Sequence, residues 1–145
     1  MAVSVKSISL WRGEVPNRPG ALAQVLGPLS EAGADLKVVM AYRIPGNENR
    51  AAVEVYPVSG RRATRAADDA SLEDSRIPAL LVDGDDRPGL GHAIAQEVAD
   101  AGINMIFLIA QVVGRRYSAV IGFESVADAR RAAALVKRAK PSRRR

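Results

Sequence analysis

The sequence predicts an α+β chain built from two consecutive copies of one small unit, each an antiparallel sheet with its helices on one face. Three observations carry this. The string Asn17-Arg18-Pro19-Gly20 returns as Asp86-Arg87-Pro88-Gly89, 69 residues further on. The same offset holds without a gap through the next stretch, where NRPGALAQVLGPLSEAGADL lies over DRPGLGHAIAQEVADAGINM. Agreement over a whole supersecondary unit marks a duplication. The third observation is compositional: 48% of residues are apolar but only six are aromatic (Trp11, Tyr42, Tyr56, Phe107, Tyr117, Phe123). The core must therefore come from Val, Ile, Leu and Ala, which suits helices packed on a sheet.

The first copy reads as follows. A strand runs from Ser7 to Val15, where Ile8 and Leu10 alternate with Ser7 and Ser9. Pro19 falls near the first helical turn behind Asn17, a residue type that caps helices. The helix sets Leu22, Val25, Leu26 and Leu29 on one stripe and stops at Gly33. A second strand spans Leu36 to Ile44, a turn follows at Pro45-Gly46-Asn47, and a third strand spans Ala51 to Val58. An Ala-rich helix covers Arg61 to Leu72. In the second copy the counterparts are Ala79–Val82, Leu90–Ala101, Ile103–Val113, Tyr117–Phe123 and Val126–Lys137. Beyond the first helix the offset is read as 67, laying Ala52-Val53 over Ala119-Val120 and making the second hairpin two residues shorter. The order β-α-β-β-α-(β) is the ferredoxin-like split βαβ unit. Two modules are expected, 1–74 and 75–138, with a basic disordered tail at 139–145. The fourth strand is open: either one strand serves both copies, or each module is truncated to βαββα.

Charge and special residues narrow the function classes. The net charge of +5 comes from the end of the chain, because Val136–Arg145 carries six basic residues and no acid, leaving −1 for the rest. Such a block reads as a solvated terminus rather than a nucleic-acid arm. The aromatics are scattered, without the basic-aromatic runs of RNA-binding sheets. There is no cysteine and one histidine, His92, so neither a disulfide, a metal site nor a cofactor is expected. His92 reads as a surface residue. Ser30, Ser59 and Ser118 lack partners at catalytic spacing, and no phosphate-cradling glycine motif is present. Arg12, Lys37 and Asp83 interrupt the apolar runs well short of a membrane span, and the N-terminus lacks signal-peptide order, so the expected location is the cytoplasm.

An apolar strand, then Asn/Asp-Arg-Pro-Gly, a helix, and Ala-Gly-hydrophobic-Asn-hydrophobic resembles the ACT domain, and the duplication resembles stand-alone tandem ACT proteins. The resemblance implies a non-catalytic regulatory protein that binds a free amino acid where two modules meet. It implies that residues at the start of a second strand, here Asp35 and Asn104, reach a ligand held by the neighbouring module's loop.

The chemistry is plausible without the family. A helix N-terminus offers unpaired N–H groups and a positive dipole end to a carboxylate. A glycine there permits close approach. Two sites follow from combining loop and strand start. One takes Asn17, Arg18, Pro19, Gly20, Ala21 and Leu22 with Asn104 and Met105. The other takes Asp86, Arg87, Gly89 and Leu90 with Asp35 and Leu36. The first is favoured, because paired carboxylates at the second would repel the ligand's own carboxylate. Arg18 and Arg87 read as solvent-facing. A rival reading is a protein-interaction module whose ligand site is vestigial. The strand residues Val38, Met40, Ile106 and Leu108 look too apolar on both faces for a solvated sheet, so a homodimer or larger closed assembly is expected.

Overall fold

The computed structural model describes residues 3–141. These divide into two compact units, one formed by Ser9–Arg76, the other by the residues up to Ile8 together with those from Ile77 onward. The first unit contains β2 (Trp11–Pro16), α1 (Ala21–Glu31), β3 (Val38–Ile44), β4 (Asn47–Tyr56), α2 (Arg61–Asp69) and β5 (Glu73–Asp74). The second contains β1 (Ser4–Ile8), β6 (Ala79–Asp85), α3 (Leu90–Asp100), β7 (Met105–Val113), β8 (Arg116–Phe123) and α4 (Val126–Arg138). The sheet orders are β3-β4-β2-β5 and β1-β6-β8-β7, antiparallel throughout. Both are the ferredoxin-like arrangement expected from the element order.

Each sheet buries one face under its pair of helices. In the first unit Val53 and Val55 pack with Val25 and Leu29 of α1 and with Ala66 and Ala67 of α2. In the second, Leu80, Val82, Ile121 and Phe123 pack with Ile94 and Val98 of α3 and with Ala132 and Val136 of α4. Small alanines let α2 and α4 approach their sheets closely. The helix-ending glycines behave as expected: Gly33 and Gly102 both take positive φ just past their helices. No helix among the described residues is long and apolar enough to cross a membrane.

Several expectations need correction. The segment Ser7–Val15 is not one strand. It splits at Ser9-Leu10 into β1 and β2, which lie in different sheets. β1 pairs with β6, Val5 opposite Val82 and Ile8 opposite Ala79, and Val3 joins the core of the second unit. The start of the chain therefore belongs with the second unit, not with a module spanning 1–74. The open question of the fourth strand is answered by the same exchange. The second sheet takes β1 as its fourth strand, and the first takes the two-residue β5, opposite Trp11 and Arg12. Alternation alone missed the break because no Gly or Pro interrupts Ile8 to Trp11.

The hairpin offset is 66, not 67. Gly13 pairs with Val53 and its counterpart Val82 pairs with Ala119. Val53 and Ala119 are both buried toward the helices, and a slip of one residue would turn every side chain to the opposite face. The second hairpin is thus three residues shorter. The first absorbs its extra residues where the register shifts between Arg43 and Ile44.

Three smaller corrections concern exposure. Leu22 is 37% exposed rather than part of the buried stripe, which is Ala21, Val25 and Leu29. Val38 and Met40 are buried, whereas Ile106 and Leu108 are exposed. The basic run is not wholly a tail: Lys137 and Arg138 occupy the last turn of α4, suited to its negative dipole end, and Ala139 is buried in the core. Arg143, Arg144 and Arg145 lie outside the described residues.

Removing residues 1–8 should strip β6 of a neighbour and leave the first sheet's pairing complete. Hydrogen exchange on the truncated chain should show lost protection at Leu80–Val82 with β2 and β4 retaining theirs. Loss concentrated in β2 and β4 would restore the contiguous module.

Candidate functional site

The repeated Arg-Pro-Gly string builds a turn rather than a helix cap. Ala21 N–H donates to Arg18 O at 3.3 Å, and Gly20 sits at φ 85°, ψ −11°. Leu90 N–H donates to Arg87 O at 3.1 Å, with Gly89 at φ 86°, ψ 2°. Pro at the second position and a left-handed Gly at the third define a type II turn. The helices therefore start at Ala21 and Leu90, with Gly20 and Gly89 at the cap positions, and neither Asn17 nor Asp86 caps one. This corrects the capping expectation. Because α1 starts cleanly, with Gln24 N–H as its first donor back to Gly20 O, the Leu22 and Ala23 amides have no intrahelical acceptor.

Asn17 is instead pinned to the hairpin. Its N–H donates to Asn49 O at 2.9 Å and its Nδ2 donates to Glu48 O at 2.8 Å. With the amide hydrogens so engaged, Oδ1 is the acceptor end. In the second unit Asp86 N–H makes the matching bond to Arg115 O at 2.8 Å, but a carboxylate has no hydrogen with which to copy the second. The two loops share a backbone and differ in chemistry.

Beside the first loop lies a cavity of about 270 Å³ lined by β2, β3, β4 and the start of α1. Of the residues singled out from sequence, Asn17, Arg18, Ala21 and Leu22 line it; Pro19 and Gly20 shape the turn without lining it. Its apolar surfaces include Val15, Ala51 and Val53, and Tyr42 and Arg43 complete the wall. The volume lies near the lower end of the roughly 300–1,000 Å³ usual for small-molecule sites. Two guanidinium-bearing residues, Arg18 and Arg43, and a helix N-terminus make it suited to an anionic group. Arg18 Nη2 donates to Gln24 Oε1 at 3.3 Å, which holds its side chain along the helix start.

Sequence reasoning missed Arg43 and Ala51. The signal was available: once β3 and β4 are in register, Arg43 stands opposite Ala51 and on the same face as Ala41 and Val53. An arginine on the helix-facing side of a strand is out of pattern.

The opposite face of this sheet carries a second unforeseen feature. Glu54 is fully buried, and its Oε2 accepts from the Tyr42 hydroxyl at 2.8 Å. Its Oε1 has no hydrogen-bond partner among the described residues. Burial first, then the hydrogen bond to Glu54, raises the Tyr42 phenol above its ordinary value of 10.0. Tyr117 is raised too, by burial and then by the charge of Asp86.

The remaining sequence candidates are placed as follows. Asp35 is exposed and paired with Lys37, and half-buried Leu36 follows it, just before β3. Asn104 Nδ2 donates to Glu124 Oε1 at 3.1 Å, and half-buried Met105 opens β7. Arg87, Gly89 and Leu90 form the second turn and the start of α3, with Leu90 buried. His92 is exposed. No group of three or more acidic, histidine or cysteine residues among the described residues is placed to hold a metal.

Two ferredoxin-like units of this order, each carrying the loop before its first helix, make up a tandem α+β fold. Solved structures share it. A protein from Bacteroides thetaiotaomicron superposes with a TM-score of 0.71 at 12% identity, over 88% of this chain and 87% of that one. The regulatory subunit of aspartate kinase from Thermus thermophilus, in its ligand-free form, gives 0.58 at 20% identity, over 94% and 97%. Aspartokinase alpha and beta subunits give 0.62 at 15% identity, over 93% and 94%. No family model matches the chain, and no curated protein matches it.

Tyr42→Phe should remove the donor held by Glu54 and destabilise the chain by about 1–3 kcal/mol, read from urea midpoints at pH 7. The raised phenols give a pH signature. Unfolded tyrosines ionise near pH 10 while Tyr42 and Tyr117 hold their protons in the fold, so stability should fall as pH rises past about 10. Tyr117→Phe should flatten that fall between pH 9 and 11.

Proposed function

We propose that this chain is a non-catalytic regulatory protein of the cytoplasm that binds a free amino acid at the loop of its first unit, residues 17–22. The observation that carries the reading is the cavity itself. A polar loop, two arginines and a helix start meet an apolar floor within one small volume. A free amino acid presents a carboxylate to the Leu22 and Ala23 amides and to Arg43, an ammonium to Asn17 Oδ1, and a side chain to Val15, Ala51 and Val53. The resemblance to regulatory subunits of aspartate kinase supports a regulatory role. Asn104 is the proposed second polar contributor, as the family resemblance implies. The loop at Asp86 is the weaker candidate, since its carboxylate cannot make the hairpin bond of Asn17 and repels an anionic group.

Calorimetry with the proteinogenic L-amino acids, each in turn, tests this. One of them should bind, with Asn17→Ala weakening it by about 1–3 kcal/mol, as expected for a lost bond to a charged ligand group, and Asp86→Ala doing much less. Arg43→Ala should weaken it as Asn17→Ala does. Asn104→Ala should weaken binding without moving the melting temperature. Equal damage from Asn17→Ala and Asp86→Ala would defeat the assignment, and silence from every amino acid would defeat the reading as a whole.

Self-association belongs to the same proposal. β7 ends its sheet, and five of the nine exposed large apolar residues among the described residues lie on it: Ile106, Leu108, Ile109, Val112 and Val113. A long apolar edge strand pairs readily with another strand. Sedimentation should show a homodimer or larger closed assembly, and Ile109→Lys with Val113→Lys should shift it toward monomer. A clean monomer of the unaltered chain at micromolar concentration would remove this part.

A further inference from the structure

The register of the two sheets shows a difference that the repeat conceals. In the first unit Val15 pairs with Ala51, and in the second Gly84 pairs with Tyr117. These are corresponding positions, two residues along from the pairs Gly13–Val53 and Val82–Ala119. The open cavity is lined by Val15, Leu22, Ala51 and Val53. Their counterparts are Gly84, Gly91, Tyr117 and Ala119. Three of the four are smaller than in the first unit, which by itself would enlarge the space. The fourth is a tyrosine where the first unit has alanine.

The space left by the small residues is filled. A Cβ at Gly91 would lie 3.6 Å from the Tyr117 hydroxyl, so the ring reaches the first turn of α3. A Cβ at Gly84 would lie 2.9 Å from Val3 Cγ1, so β1 takes that room. Tyr117 is only 5% exposed, and its hydroxyl is buried with no hydrogen-bond partner among the described residues. A buried hydroxyl without a partner is costly and calls for an explanation. Here it stands at a helix start, at the position where the first unit leaves room for a ligand's polar group.

We infer that Tyr117 is an internal plug, closing in the second unit the cavity that Ala51 leaves open in the first, so that each chain takes one amino acid and not two. The inference rests on the reading of the open cavity as an amino-acid site. The duplication thus leaves one receptive copy and one closed copy, and residue sizes at two corresponding pairs decide which is which: Leu22 with Ala51, and Gly91 with Tyr117.

The test exchanges those sizes in the full chain. The probes are the proteinogenic L-amino acids, each titrated calorimetrically, with thermal melting read in parallel. The unaltered chain should bind one per chain. Tyr117→Ala should bind two, or bind a second amino acid of different size. Tyr117→Phe, which keeps the plug, should stay at one. The reciprocal pair Leu22→Gly with Ala51→Tyr should bind none yet melt no lower than Leu22→Gly alone, because the new ring fills an existing space. Two equivalents on the unaltered chain, a gain of a site in Tyr117→Phe, or undiminished binding by the reciprocal pair would overturn the plug. If no amino acid binds any variant, the amino-acid reading fails and melting still judges the plug. It survives if Tyr117→Ala melts lower while the reciprocal pair does not fall below Leu22→Gly, and it is overturned if the reciprocal pair fails to fold although Leu22→Gly folds.

Discussion

The first strand of each copy lies inside its sheet, and an interior strand has two rows of backbone N–H and C=O groups to satisfy, one on each side. β4 and β8 supply the inner neighbours. The outer neighbours come from opposite sides of the first unit's helices in the sequence: β1, before the unit, flanks β6, and β5, at the unit's own end, flanks β2. This demand for a second partner shapes much else. It assigns Ser4–Ile8 to the second sheet. It brings Val3 against Gly84. It also makes a short connecting segment serve as a strand, with Ser75 N–H donating to Leu10 O at 2.6 Å.

The two loops illustrate how a backbone motif and its chemistry can separate. Proline presets one φ, glycine permits the next, and the same type II turn forms in both copies whatever residue precedes the arginine. Asparagine then ties the first loop to its hairpin through an amide, which aspartate cannot do. The scaffold is thus specified by two residues and the polarity of the site by a third. Under this arrangement the turn is kept intact while the side-chain chemistry of the loop differs between copies.

The same divergence runs through the sheets. On the face away from the helices the first unit buries Glu54, hydrogen-bonded to the exposed Tyr42, where the corresponding positions of the second are Val120 and Gln111. On the helix-facing side it has alanine where the second has Tyr117. Buried carboxylates rarely stabilise a fold, and a partnerless phenol does not either. Both departures from a simple apolar core mark places where the copies ceased to be interchangeable.

The sequence by itself determined the duplication, the antiparallel α+β class and, apart from the break at Ser9-Leu10 and the fourth strands, the helix and strand order; of the residues it singled out, Asn17, Arg18, Ala21 and Leu22 line the cavity. These are local matters, decided by periodicity and by the φ preferences of proline and glycine, and local patterns survive in one dimension. Strand exchange did not. Ile8 and Leu10 continue one alternation across a break, and nothing in that pattern says which sheet a strand will join. The hairpin offset was hidden likewise: identity favoured 67, and only pairing, with Val53 and Ala119 facing the same way, decided 66. Arg43 and Ala51 entered the site, and Tyr117 filled its counterpart, through that register alone. Side chains far apart in sequence meet by hydrogen-bonded alignment of strands, and a one-residue error in alignment puts each on the wrong face.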